Sequence, residues 1–198
     1  MLTFATLGPA GSNHALVTRG YLDRHGLERA RIVFVDDFDD ALALLVAGEA
    51  QHIVQAAAHP QTPGTIAKAF FRHGIYVVDS FISPSHPLAV LTRVEVETPR
   101  SLGLQPATRN YIDTGRWTTL VEEATTVAVA EGLLAGRYDS GLTLHHVADQ
   151  HPGRFRVEDV IGSVDDPWIV YGRERTSGGA VLTWPDSPAA RLYRQRMG

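Results

Sequence analysis

Cysteine is absent from the 198 residues, which removes disulfides, thiolate metal ligands and a cysteine nucleophile together. A basic excess is absent too: 18 Lys and Arg, almost all Arg and scattered along the chain, face 22 Asp and Glu for a formal net charge of -4. Such a surface has no field to gather a polyanion, so nucleic acid is set aside as a partner. No apolar run approaches the roughly 20 residues of a membrane span. The opening Met1-Leu2-Thr3-Phe4-Ala5 has neither the basic start nor the long apolar core of a secretion signal. The expectation is a cytoplasmic protein with no membrane partner.

Several catalytic signatures are missing as well. There is no GxSxG elbow, no Walker loop, no GxGxxG and no HExxH, and no Ser-His-Asp set can be assembled from the order of residues. Nine histidines are present, but none fall at metal-ligand spacing, and the adjacent His145-His146 pair points its side chains apart. Neither a metal nor a cofactor is expected. No low-complexity stretch and no fixed-period repeat occurs.

What remains is an ordinary globular composition, 44% hydrophobic, enough for one sizeable domain or two small lobes. Short β-type runs alternate with helical segments. Strands are expected over 2–7, 31–35, 51–58, 75–78, 88–96, 101–104, 140–144, 155–161 and 164–172, and helices over 14–25, 38–47, 65–72, 126–135 and 145–150. Asp36, Asp37, Asp39 and Asp40 resemble an acidic cluster, but they open a helix, where carboxylates complement the positive end of the helix dipole. Arg191, Arg194 and Arg196 fall on an amphipathic terminal segment. The alternation implies an α/β fold with a mainly parallel sheet in each half.

Two turns carry the functional reading. Gly8 to Asn13 follows a strand and precedes a helix, with Ser12 or Asn13 as cap, and unsatisfied N–H groups at such a start suit a carboxylate or phosphate. Gln105 to Asn110 repeats the design. Gly11, Ser12 and Asn13 on one side, with Gln105, Thr108 and Asn110 on the other, would hold a small dianion, and Arg109 is the cation best placed to meet it. His59 and His86 lie in turns after apolar strands, where ligand-facing residues collect, and His59 is the first choice of proton donor. Trp168 sits in an apolar strand, as core or as a wall of the site.

The order of motifs resembles the prephenate dehydratase catalytic domain over about Thr6 to Gly172. Leu7-Gly8-Pro9-Ala10-Gly11-Ser12 is similar to that family's Gly-Pro-x-Gly-Thr opening, Ser83-Pro84-Ser85-His86 to its Leu-Pro-Ile-His, Gln105-Pro106 to its His-Pro, and Ala124-Thr125 to its Ser-Thr. The family's Thr-Arg-Phe is replaced by Pro167-Trp168-Ile169, and its Glu-Asn-Ser by His59-Pro60-Gln61. Ser163 to Gly172 keeps Ser, Trp, an aromatic and Gly where the bacilysin-type prephenate decarboxylase branch has them.

The resemblance implies a two-lobed fold of the periplasmic-binding-protein type II kind, with a ligand cleft between lobes. Lobe one would take about 1–80 plus 163–198 and lobe two about 81–162, with 173–198 as a tail and no ACT domain. It implies a cofactor-independent lyase that decarboxylates prephenate or a related cyclohexadienyl acid without aromatising it. His59, His86 and Trp168 would be catalytic, and a homodimer is compatible. A dehydratase with an altered site and a non-catalytic binder of small carboxylates stay open.

Overall fold

The computed structural model describes residues 1–184 and 186–197. The first lobe is built on β1 (Thr3–Leu7), β2 (Arg31–Val35), β3 (His52–Ala56) and β4 (Tyr76–Pro84), joined by helices α1 (Asn13–Arg24), α2 (Phe38–Ala47) and α3 (Thr62–His73). The second holds β5 (Leu88–Arg93), β6 (Ser101–Leu104), β7 (Thr119–Glu122), β8 (Ser140–Leu144) and β9 (Phe155–Gly162), with α4 (Thr126–Leu134) and α5 (His146–Gln150). β10 (Asp165–Gly172) returns to the first sheet, and α6 (Pro188–Met197) ends the described chain.

The strand orders are β2-β1-β3-β10-β4 and β7-β6-β8-β5-β9. Both sheets are mixed, which corrects the expectation of mainly parallel ones. β1 runs parallel to β2 and β3, but β10 lies antiparallel to both β3 and β4. In the other sheet β6 is parallel to β7 and β8, while β5 is antiparallel to β8 and β9. The cause is a pair of long connecting strands. β4 leads out of the first sheet, β5 begins the second, and β9 and β10 reverse the path, so each sheet receives a strand with no helical crossover.

Local chemistry accounts for the helix ends. Asp37 caps α2, its carboxylate accepting from the Asp40 N–H at 2.9 Å, and the helix closes on Gly48 at φ 80°; Phe38, Ala41, Leu42 and Leu45 then bury one face. α3 begins at Thr62, three residues before its expected start, because Pro63 fits the first turn of a helix. Along β10, Trp168 and Val170 enter the core with Phe4, Val17 and Val54, whereas Tyr171 enters the opposite one with Ala5, Leu45 and Ile53. This period-two alternation places helices on both faces of the sheet. Gln55 and Tyr171 are buried polar side chains inside it, and the tyrosine hydroxyl donates to Gln55 Oε1 at 2.7 Å.

Candidate functional site

The lobes meet at two chain crossings, β4 to β5 and β9 to β10. At the first, the Ser85 N–H donates to the Val164 carbonyl at 2.9 Å, the Ser85 hydroxyl donates to Asp166 Oδ2 at 2.7 Å, and the His86 N–H donates to Asn13 Oδ1 at 2.9 Å. Beside this hinge lies a cleft of about 120 Å³. Its first-lobe wall includes Leu7, Ser12, Asn13, His14, His59 and Trp168; its second-lobe wall includes Gln105, Thr108, Tyr111, Thr125 and Thr126.

Two helices start in that cleft. Ser12 caps α1, its hydroxyl accepting from the Ala15 N–H at 3.2 Å. Thr125 caps α4 in the same way, accepting from the Ala128 N–H at 3.0 Å. Both starts line the cleft, one from each lobe, and bring free N–H groups and a positive dipole end to it. The expected partner turn at Gln105 to Asn110 forms instead a short 3₁₀ helix, Pro106–Tyr111. Pro106 in its first turn and the Gln105 side chain, which accepts from the Ala107 N–H at 2.8 Å, favour this tight turn. The second helix start therefore comes from Thr125, whose signature is a threonine just before an Ala/Val helix.

Histidine and aromatic rings make the floor. His14 packs edge-on against Trp168 with ring centres 4.9 Å apart and lies 5.9 Å from His59; Phe38 stands 5.1 Å from His59. The Ala56 N–H donates to His14 Nε2 at 3.4 Å, so the ring is used as an acceptor. Burial, with His59 adding to it, lowers its pKa to about 3. Burial lowers His59 too. The Gln61 N–H donates to His59 Nδ1 at 3.2 Å, which leaves Nε2 as the hydrogen-bearing nitrogen of the neutral ring. The Trp168 indole N–H is buried with no hydrogen-bond partner among the described residues, an unmet donor in the cleft wall.

Charge in the lining is one-sided. No Lys or Arg lines the cleft, whereas Asp166 does. Tyr111 is held above the ordinary phenol pKa by burial and then by the Asp166 carboxylate.

Of the residues singled out in the sequence, Ser12, Asn13, His59, Gln105, Thr108 and Trp168 line this cleft. Gly11, His86, Arg109 and Asn110 do not, and Arg109 and Asn110 are exposed. Asn13 spends its side-chain oxygen on the hinge. His86 sits in the hinge itself: burial first, then His146, lowers its pKa, against a hydrogen bond to the Gly11 backbone. His14, Asp166, Tyr111 and Thr126 were not selected from the sequence as site residues. Asp166 left one signal, a carboxylate within an apolar strand; His14 left none that separates it from the other histidines. Among the described residues no group of three or more His, Asp or Glu is placed to hold a metal.

Neither a family model nor a curated protein matches the sequence. Solved structures do. The prephenate dehydratase of Arthrobacter aurescens in complex with L-Phe is 19% identical with a TM-score of 0.63, over 96% of this chain and 70% of that one. The prephenate dehydratase of Staphylococcus aureus is 13% identical with a TM-score of 0.59, over 89% and 67%. The periplasmic VFT2 domain of BvgS from Bordetella pertussis is 15% identical with a TM-score of 0.52, over 86% and 80%. This last likeness corrects the cytoplasmic expectation: the fold is shared by a periplasmic domain as well as by dehydratases, so it does not point to the cytoplasm. What the likenesses establish is a two-lobed α/β fold, shared by prephenate dehydratases and the periplasmic VFT2 domain of BvgS.

Proposed function

We propose that the cleft binds a small cyclic carboxylic acid and that the chain is a lyase of the decarboxylating kind, acting on prephenate or a related cyclohexadienyl acid without aromatising the ring. The observation that carries this reading is the pairing of two helix starts, at Ser12 and Thr125, with a lining that has no Lys or Arg. The free N–H groups suit the side-chain carboxylate of the substrate. A second carboxylate on the ring would lie against Trp168 and the neutral His14 and His59, near Asp166, with no cation to stabilise it. Loss of CO2, together with the proton that the ring then takes up, removes that poorly solvated charge and leaves a product with only its side-chain carboxylate.

In this step the ring C–COO⁻ bond breaks, its electron pair moves into the diene, and a distant ring carbon takes a proton. His59 supplies that proton in its imidazolium form, which its lowered pKa makes a stronger acid but a scarcer one at neutral pH. The rate is therefore expected to rise as pH falls toward the lowered pKa of His59, and His59→Gln should remove the rise.

Mixing the protein with prephenate and following the ultraviolet spectrum and product mass tests the reading. A non-aromatic product short of CO2 supports it. Phenylpyruvate would make the chain a dehydratase with an altered site. The two neutral histidines favour a second reading, binding without turnover, which a ligand-dependent rise in melting temperature with no product would establish.

A further inference from the structure

Asp166 can take no part in holding a carboxylate, yet it lines the cleft. The pleat of β10 puts it there. Asp166 and Trp168 line the cleft while Pro167, between them, lines a groove elsewhere in the lobe, which is the alternation of a strand. Trp168 is anchored in the core with Phe4, Val17 and Val54, and the Ser85 hydroxyl donates to Asp166 Oδ2 at 2.7 Å. The carboxylate is thus held in position by its strand and by Ser85. Its bonding capacity is mostly unused. An ionised carboxylate accepts at about four sites, but among the described residues Oδ1 has no hydrogen-bond partner and no ion pair includes Asp166. A half-buried carboxylate so placed needs a further donor.

Tyr111 lines the same cleft from the second lobe, at the end of the 3₁₀ helix, with its ring packed against that lobe's core. Burial, and after it the Asp166 carboxylate, raises its pKa, so the phenol keeps its proton and is a donor at neutral pH. No direct hydrogen bond joins the two side chains among the described residues. The cleft therefore presents an acceptor on one lobe and a donor on the other. A ligand carboxylate set between them would be repelled by Asp166. An ammonium would satisfy Asp166 but leave the Tyr111 hydroxyl with nothing to donate to. An alcohol hydroxyl meets both, donating to Asp166 and accepting from Tyr111.

We propose that Asp166 and Tyr111 form a cross-lobe subsite for a hydroxyl group on the ligand's ring, and so make the cleft specific for hydroxylated cyclic acids. The proposal rests on the reading that the cleft binds a small cyclic carboxylic acid, but on no step of the decarboxylation. With the carboxylate at the helix starts, the hydroxyl is the second point that fixes how the ring lies. Because its two partners belong to different lobes, a ligand that carries it also holds the lobes together.

Calorimetric titration of the full chain with cis- and trans-4-hydroxycyclohexanecarboxylate, against cyclohexanecarboxylate, is the experiment. One of the two isomers is expected to bind at least about tenfold more tightly than the plain acid, as a hydrogen bond to a charged group allows. Tyr111→Phe and Asp166→Asn should each lower that ratio at least about threefold; the asparagine still offers Ser85 an acceptor. A change that only loosened the fold would weaken both acids together and leave the ratio in place. Acids that bind with a ratio near one overturn the subsite and leave the carboxylate reading standing. So does a ratio that survives both substitutions, and so does tighter binding of 4-aminocyclohexanecarboxylate than of either hydroxy acid, which would make Asp166 an ammonium site. Binding of none of these acids overturns the carboxylate reading and the subsite with it.

Discussion

His14 is where burial and titration meet most directly. Its pKa is lowered from 6.5 to about 3 inside the fold. Between those values the unfolded chain takes up a proton that the folded chain refuses, so stability falls as pH falls through that window, by about 1.4 kcal/mol per pH unit for one such group. His59 and His86, lowered as well, add to the same trend. Urea denaturation of wild type and His14→Gln between pH 6 and 4.5 should show the shallower loss in the variant, which keeps an acceptor for the Ala56 N–H but cannot protonate in this range. Trp168 gives a second residue-scale test. Its unpaired indole N–H in the cleft wall should report ligand, so prephenate is expected to shift the emission of the wild type and leave that of Trp168→Phe unmoved. Neither property could be read from sequence: one of nine histidines is singled out by what surrounds it, and an indole lacks a partner only once its neighbours are placed.

At the scale of elements, the caps of α1 and α4 serve two purposes. Ser12→Ala or Thr125→Ala deprives one helix start of its acceptor and should cost about 1 kcal/mol each in chemical denaturation. Because both starts face the cleft, each change is also expected to weaken carboxylate binding several-fold, which calorimetric titration would measure; an unaltered affinity in both would remove the helix starts from the site. The second sheet has its own constraint. A Cβ on Gly103 would collide with the Tyr138 ring, which is pinned because its hydroxyl donates to the Val129 carbonyl at 2.6 Å. Gly103→Ala should therefore destabilise that lobe by about 1–3 kcal/mol, as overpacked cores do. Most elements were legible in sequence because period-two and helical patterns were strong, as in α2, which its aspartates open. β7 was missed: Thr119–Glu122 is four residues long with no member fully buried, too short for alternation to register. β4 was expected to end at Val78 and runs to Pro84, its last residues held by pairing with β10.

Across the whole molecule, the hinge decides whether two lobes behave as one site. Ser85 ties the first crossing to the second through Val164 and Asp166, and Asn13 ties α1 to it through the His86 N–H. Ser85→Ala leaves Asp166 one hydrogen bond short and should cost about 1 kcal/mol. Its loss should loosen the approach of Tyr111 and Thr125 to the first lobe, seen as weaker ligand-induced stabilisation than in wild type.

The sequence by itself determined the α/β alternation, a helix start at Ser12 or Asn13 and the aspartates that open α2, since each rests on neighbours within one turn or one strand; the two-lobed order was implied by the resemblance of the motif succession. Tertiary structure alone decided that both sheets are mixed and that Thr125, rather than Gln105, supplies the second helix start. It also gathered His14, His59, Tyr111, Asp166 and Trp168 into one cleft and left Arg109 and Asn110 outside its lining. Those outcomes depend on contacts between residues far apart in the chain, such as Ser85 with Asp166 and Asn13 with His86. Local periodicity carries no information about which distant segment a side chain meets.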